Sequence, residues 1–142
     1  MTVREYLEQP ETLRLEIRRK QARIETLRRL STRFSAQLSD VRVQSSPDPA
    51  RMQAFLAEAA DEEREVRRLE AERVRALADA ALLISALPDD RMARVMELRY
   101  LDRCRWEEIA DRLDCSGSAV FRLHRRALEL LPAPLGSPAE QR

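Results

Sequence analysis

The sequence predicts an all-α protein: a long antiparallel coiled-coil helical hairpin over residues 1–87, three shorter helices over 88–131, and a disordered tail over 132–142. Three observations predict it. Of 142 residues only 4% are aromatic and two are glycine, while 44% are hydrophobic, a composition that suits apolar stripes on helices better than a thick mixed core. Apolar residues recur at alternating steps of four and three along one long segment and form a stripe along a second. Residues that start and stop helices stand at the ends of each segment.

The first segment opens with Thr2 and Glu5 at capping-box spacing, where hydroxyl and carboxylate satisfy amides that have no partner inside the helix. A short helix to Glu8 is expected, then a restart with Pro10 in the first turn, where the missing amide hydrogen is harmless. From Glu11 nothing breaks the helix until Ser39, and Leu13, Ile17, Ile24, Leu27, Phe34 and Leu38 mark a heptad seam around Lys20 and Ser31. A loop is expected from about 40 to 49, with Asp48 as the next N-cap and Pro49 at the first helical position.

The second long helix is expected to run to about Leu87, with its stripe at Met52, Phe55, Ala59, Val66, Leu69, Leu77, Ala81 and Ile84. Near-equal lengths and a short connection are what an antiparallel hairpin requires. Charge agrees: residues 1–39 carry nine basic and five acidic side chains, net +4, and residues 50–87 carry six basic and eight acidic, net −2. Exposed pairs of this kind contribute about 0–1 kcal/mol each, so they select the partner more than they stabilise it. Pairing within one chain is expected; a homodimer through the same coiled coil is the alternative.

Pro88, followed by Asp89 and Asp90, opens a helix expected to end near Asp102. Trp106–Leu113 forms a second short helix with Trp106, Ile109, Ala110 and Leu113 inward, and Asp114 and Cys115 form a turn. Ser116 caps a third helix to about Leu131, with Val120, Leu123, Ala127 and Leu131 inward and Ser118, Ala119, Arg122, Arg125 and Arg126 outward. Phe121 and His124 fall between these arcs, and packing is expected for Phe121. Two short helices, a tight turn and a capped helix bearing arginines make a helix-turn-helix, whose last helix enters the major groove of duplex DNA.

Leu87-Pro88, Glu97-Leu98-Arg99-Tyr100-Leu101, Glu107-Glu108-Ile109-Ala110, Ser116 and Ala127-Leu128 together resemble region 4 of sigma-70 factors. With Val43-Gln44-Ser45-Ser46, Trp106 and Arg122-Leu123-His124, the chain is similar to a group of small phage and prophage proteins with a sigma-like C-terminus. The resemblance implies a phage-type transcriptional regulator that contacts promoter DNA, with RNA polymerase as a further partner. It also implies that Gly117, Ser118, Ala119 and Arg122 meet the bases, beside the cap Ser116. Three of those four are small, whereas strong readout uses long polar side chains worth about 1–3 kcal/mol of discrimination each. Arg122, Arg125 and Arg126 are suited to phosphates, which position a protein without reading sequence. The family usually has glycine at 103 and 114 and a capping serine at 105; here stand Arg103 and Arg105, each expected to cost about 1 kcal/mol or less, and Asp114, which tolerates the left-handed conformation better than most residues.

Other classes find less support. No nucleophile, base and orienting group recur at enzyme spacing, so no catalytic residue and no cofactor are expected. Cys104, Cys115 and His124 lack the paired close spacing of a zinc motif, so no metal is expected and both thiols are expected to be free. There is no secretory leader and no apolar run near the roughly 20 residues of a membrane span, so a cytoplasmic protein without membrane contact is expected. The alternatives are a phage DNA-packaging or assembly component and a polymerase-binding module that does not touch DNA.

Overall fold

A computed structural model of the chain describes residues 1–40 and 49–134, the side chains of 34–40 excepted. The described residues are helical throughout, without strands: α1 (Val3–Asp40), α2 (Pro49–Ile84), α3 (Asp90–Met96) running into a π-helical turn (Glu97–Leu101), α4 (Trp106–Leu113) and α5 (Gly117–Leu130). The 41–48 connection, including Val43-Gln44-Ser45-Ser46 and the expected cap Asp48, lies outside the described residues, as do the seam side chains Phe34 and Leu38 and the tail from 135. Two compact units form, one of Met1–Glu11 with Arg73–Arg142 and the other of Thr12–Glu72. The division therefore cuts both long helices instead of falling at residue 87.

In the Thr12–Glu72 unit, Ile17, Ile24, Val66 and Leu69 form one buried cluster with Leu13 against it. Helices of 38 and 36 residues are about 57 and 54 Å long, while the nine peptide steps from 40 to 49 reach at most about 30 Å. The two can share that cluster only by running antiparallel. Ser31 is buried in the seam, and Lys20, at another seam position, places its ammonium 3.2 Å from Glu62. Arg23–Glu58 and Arg28–Glu63 add ion pairs along the flanks.

Three details of the long helices differ from the sequence expectation. The capping box forms, with the Glu5 amide donating to the Thr2 hydroxyl at 3.1 Å and the Thr2 amide to the Glu5 carboxylate at 3.0 Å, but α1 then passes through Pro10 without restarting. An interior proline costs about 3 kcal/mol; here Pro10 is buried and Leu7, in the preceding turn, is fully buried, so apolar burial offsets the lost hydrogen bond. On α2, Ala81 is exposed and Ala80 is fully buried, because the seven-residue spacing of Ala59 and Val66 carries on through Arg73 to Ala80. α2 also stops at Ile84, three residues short of Leu87.

The other unit is built on two apolar clusters. The first joins Leu7 of α1, Ala80 and Ile84 of α2, Leu87, Met92 and Met96 of α3, Tyr100, Ala127 and Leu131. The second joins Val95, Leu98, Cys104, Ile109 and Val120. Met92, Met96 and Tyr100 follow at steps of four, and Val95 and Leu98 at a step of three on the other side, so α3 and its π-helical extension are buried on two faces. Pro88 precedes the cap and does not open the helix: Asp89 is the N-cap, accepting from the amides of Arg91 (2.8 Å) and Met92 (3.1 Å). The described chain continues past the expected limit at Leu131 to Pro134, which is buried.

Ile109 is fully buried at the centre of the second cluster, so Ile109→Ala should destabilise by about 2–5 kcal/mol, whereas Asp89→Ala should cost about 1 kcal/mol through its cap. Urea unfolding should give midpoints ordered native, Asp89→Ala, Ile109→Ala at an unchanged slope.

Candidate nucleic-acid interface

α4 and α5 are set by short local devices. α3 widens into the π-helical turn, where the Asp102 amide donates to the Glu97 carbonyl at 3.0 Å. Arg103 then adopts φ 57°, a left-handed conformation costly for a residue with a Cβ. Its guanidinium lies 3.4 Å from the Glu11 carboxylate, and the next amide, of Cys104, donates to the Leu98 carbonyl at 2.8 Å. At the start of α4, Glu108 accepts from both the backbone amide (3.4 Å) and Nε (2.9 Å) of Arg105. Arg105 cannot supply the acceptor that a serine would offer the first amides of α4; only the other half of a capping box forms, with an ion pair, and the Arg105 guanidinium holds the Glu108 carboxyl below its usual range.

Asp114 ends α4 with φ 51° and ψ 52°, and the Cys115 amide donates to the Ala110 carbonyl at 3.0 Å. Ser116 follows as the N-cap of α5, its hydroxyl accepting from the Ala119 amide at 3.1 Å. The Ser116 side chain is therefore committed to the cap. Val120 and Ala127 are fully buried and Leu131 nearly so, with Leu123 packed against both clusters.

The outward arc carries the residues singled out in the sequence. Gly117, Ser118, Arg122, Arg125 and Arg126 are exposed and Ala119 is half-buried. A Cβ added at Gly117 would meet nothing within 4 Å, so this end of α5 is open, not crowded. Arg126 lies 3.4 Å from Glu129, an exposed pair too weak to hold it; Arg122 and Arg125 have no ion pair among the described residues. The surface thus offers three cations within two turns and little side-chain volume at the helix start.

Sequence reasoning leaves His124 undetermined and does not reveal the aromatic group around it. His124 is buried, with Nε2 2.7 Å from the Tyr100 hydroxyl. Trp106, half-buried, meets the His124 ring edge-on at 4.8 Å and the Phe121 ring at 5.0 Å, and the Arg99 guanidinium lies 4.3 Å over the indole while donating to the Cys104 carbonyl at 3.3 Å. Phe121 is not packed away as expected: 49% of it stays exposed. Cys104 is buried and Cys115 half-buried, both free.

Burial, with Arg4 and Arg99 nearby, lowers the His124 pKa to about 4. A histidine normally titrating near 6.5 is thus kept neutral in the fold but protonates in the unfolded chain, so its contribution to stability is complete above about pH 6.5 and is lost as pH falls toward 4. Thermal melts should show a loss on the order of 3 kcal/mol across that window from this group, and His124→Phe should flatten that part of the acid limb; an unchanged limb would exclude His124 as its source.

No helix among the described residues is long and apolar enough to cross a membrane, and no three potential metal ligands converge among them. Comparison with curated proteins and with solved structures finds no match. Residues 78–131, comprising the end of α2, α3, α4 and α5, match the family model described as Sigma-70, region 4, and this part of the chain is a sigma region-4-like helix-turn-helix.

Proposed function

We propose that the chain is a DNA-binding transcriptional regulator of phage or prophage type that lays α5 in the major groove of promoter DNA and has RNA polymerase as a protein partner. One observation carries the DNA reading: Arg122, Arg125 and Arg126 are all exposed on the outward side of a capped helix that lies inside the region matching Sigma-70, region 4. Three cations on the groove-facing helix supply phosphate attraction independent of sequence. The open end at Gly117 and Ser118 lets backbone approach base edges, but leaves few groups there to read them. The polymerase and phage parts of the proposal rest on the family resemblance, which extends to Trp106-Glu107-Glu108-Ile109-Ala110 and Arg122-Leu123-His124. No catalytic role is proposed.

Mobility-shift titrations at two or more salt concentrations test this. The native chain should bind duplex DNA with an affinity that falls steeply with salt. The Arg122→Ala, Arg125→Ala, Arg126→Ala triple variant should bind more weakly, with a log–log slope shallower by about 0.9 for each phosphate it no longer neutralises. No shift with the native chain would exclude the DNA reading and leave a polymerase-binding module; undiminished binding by the triple variant would place the DNA-binding surface away from α5.

A further inference from the structure

Resting on the DNA reading above, we infer that Phe121 is a specificity residue that recognises thymine through its C5-methyl group. The positions that the resemblance assigns to base contact are nearly bare, yet the one large apolar side chain exposed in the first half of α5 is Phe121, at 49%. It stands one turn after Gly117 and Ser118 and one turn before Arg125, so a cation suited to phosphate follows it on its own face of the helix. The Arg122 and Arg125 side chains beside it are exposed and without ion pairs among the described residues.

A lone exposed phenylalanine is common on protein surfaces. This one is braced. Its ring meets Trp106 at 5.0 Å and 49°, and Trp106 is itself fixed by the Arg99 guanidinium at 4.3 Å and by His124 at 4.8 Å. The brace sets the ring direction before binding, which lowers the ordering cost that a flexible side chain would incur. Among the base edges of the major groove the thymine methyl is the apolar group, and phenylalanine is a side chain suited to it. An apolar, pre-set ring with exposed guanidinium groups C-terminal to it on the same helix matches a thymine methyl beside a phosphate.

The test takes the full chain through selection on a random-sequence duplex library and resynthesises the recovered duplexes with deoxyuridine replacing thymidine one position at a time, which removes only the methyl. The native chain should lose affinity about fourfold at one or two thymines, the equivalent of one buried CH₂. Phe121→Ala should bind thymine and uracil duplexes alike there, Phe121→Leu should retain part of the difference, and the triple arginine variant should weaken both duplexes while keeping their ratio. Far-UV circular dichroism and Trp106 emission check that each variant is folded. Indifference of the native chain to every deoxyuridine, or the same fourfold loss in Phe121→Ala, would overturn the assignment while leaving DNA binding in place. Recovery of no duplex by the native chain would overturn both.

Discussion

The helix that runs from Asp90 into the π-helical turn is buried on two sides, and each side anchors a different part of the surrounding unit. Met92, Met96 and Tyr100 hold the ends of α1 and α2 and the C-terminal half of α5. Val95 and Leu98 hold Ile109 of α4 and Val120 of α5. The orientation of the outward arginines depends on this arrangement, because α5 is gripped by one cluster near its start and by the other near its end. Close packing leaves such a helix little freedom to rotate.

The same segment accounts for the irregular backbone. Passing from a helix buried on both sides to α4 within four residues takes a widened turn and a left-handed residue, and the chain places Arg103 there at φ 57°. The ion pair with Glu11 ties that strained position to the beginning of α1. The Tyr100–His124 hydrogen bond joins the end of the π-helical turn to the middle of α5, and Trp106 fills the space between His124 and Phe121. One connected set of rings thus runs from the interior to the exposed edge of α5.

What is legible in the sequence is what is decided locally. The bounds of α4, the left-handed Asp114, the Ser116 cap and the buried arc of α5 follow from residues within one or two turns of one another. The antiparallel pairing of the long helices is legible from heptad spacing at Ile17, Ile24, Val66 and Leu69. The burial of Leu7 and Ala80 is not legible in this way, because they join one cluster from positions 73 residues apart, and the burial of Pro10 overrides what a proline would suggest locally. Among site residues, exposure of the three arginines follows from helical periodicity. The placement of His124 and Phe121 does not, since it turns on Trp106, Tyr100 and Arg99, whose approach to α5 no spacing rule conveys.

The participation of Leu7, Ala80 and Ile84 in the first cluster bears on how this chain can be rearranged. A junction placed at residue 88, just before α3, would strip four buried side chains, Leu87 included, from the interior and leave Met92, Met96 and Leu131 facing water. The three-helix segment is therefore not a portable cassette here. Every member of that cluster lies outside Thr12–Glu72, so seven-residue insertions or deletions matched on the two helices within that span change none of the side chains on which the helix-turn-helix packs.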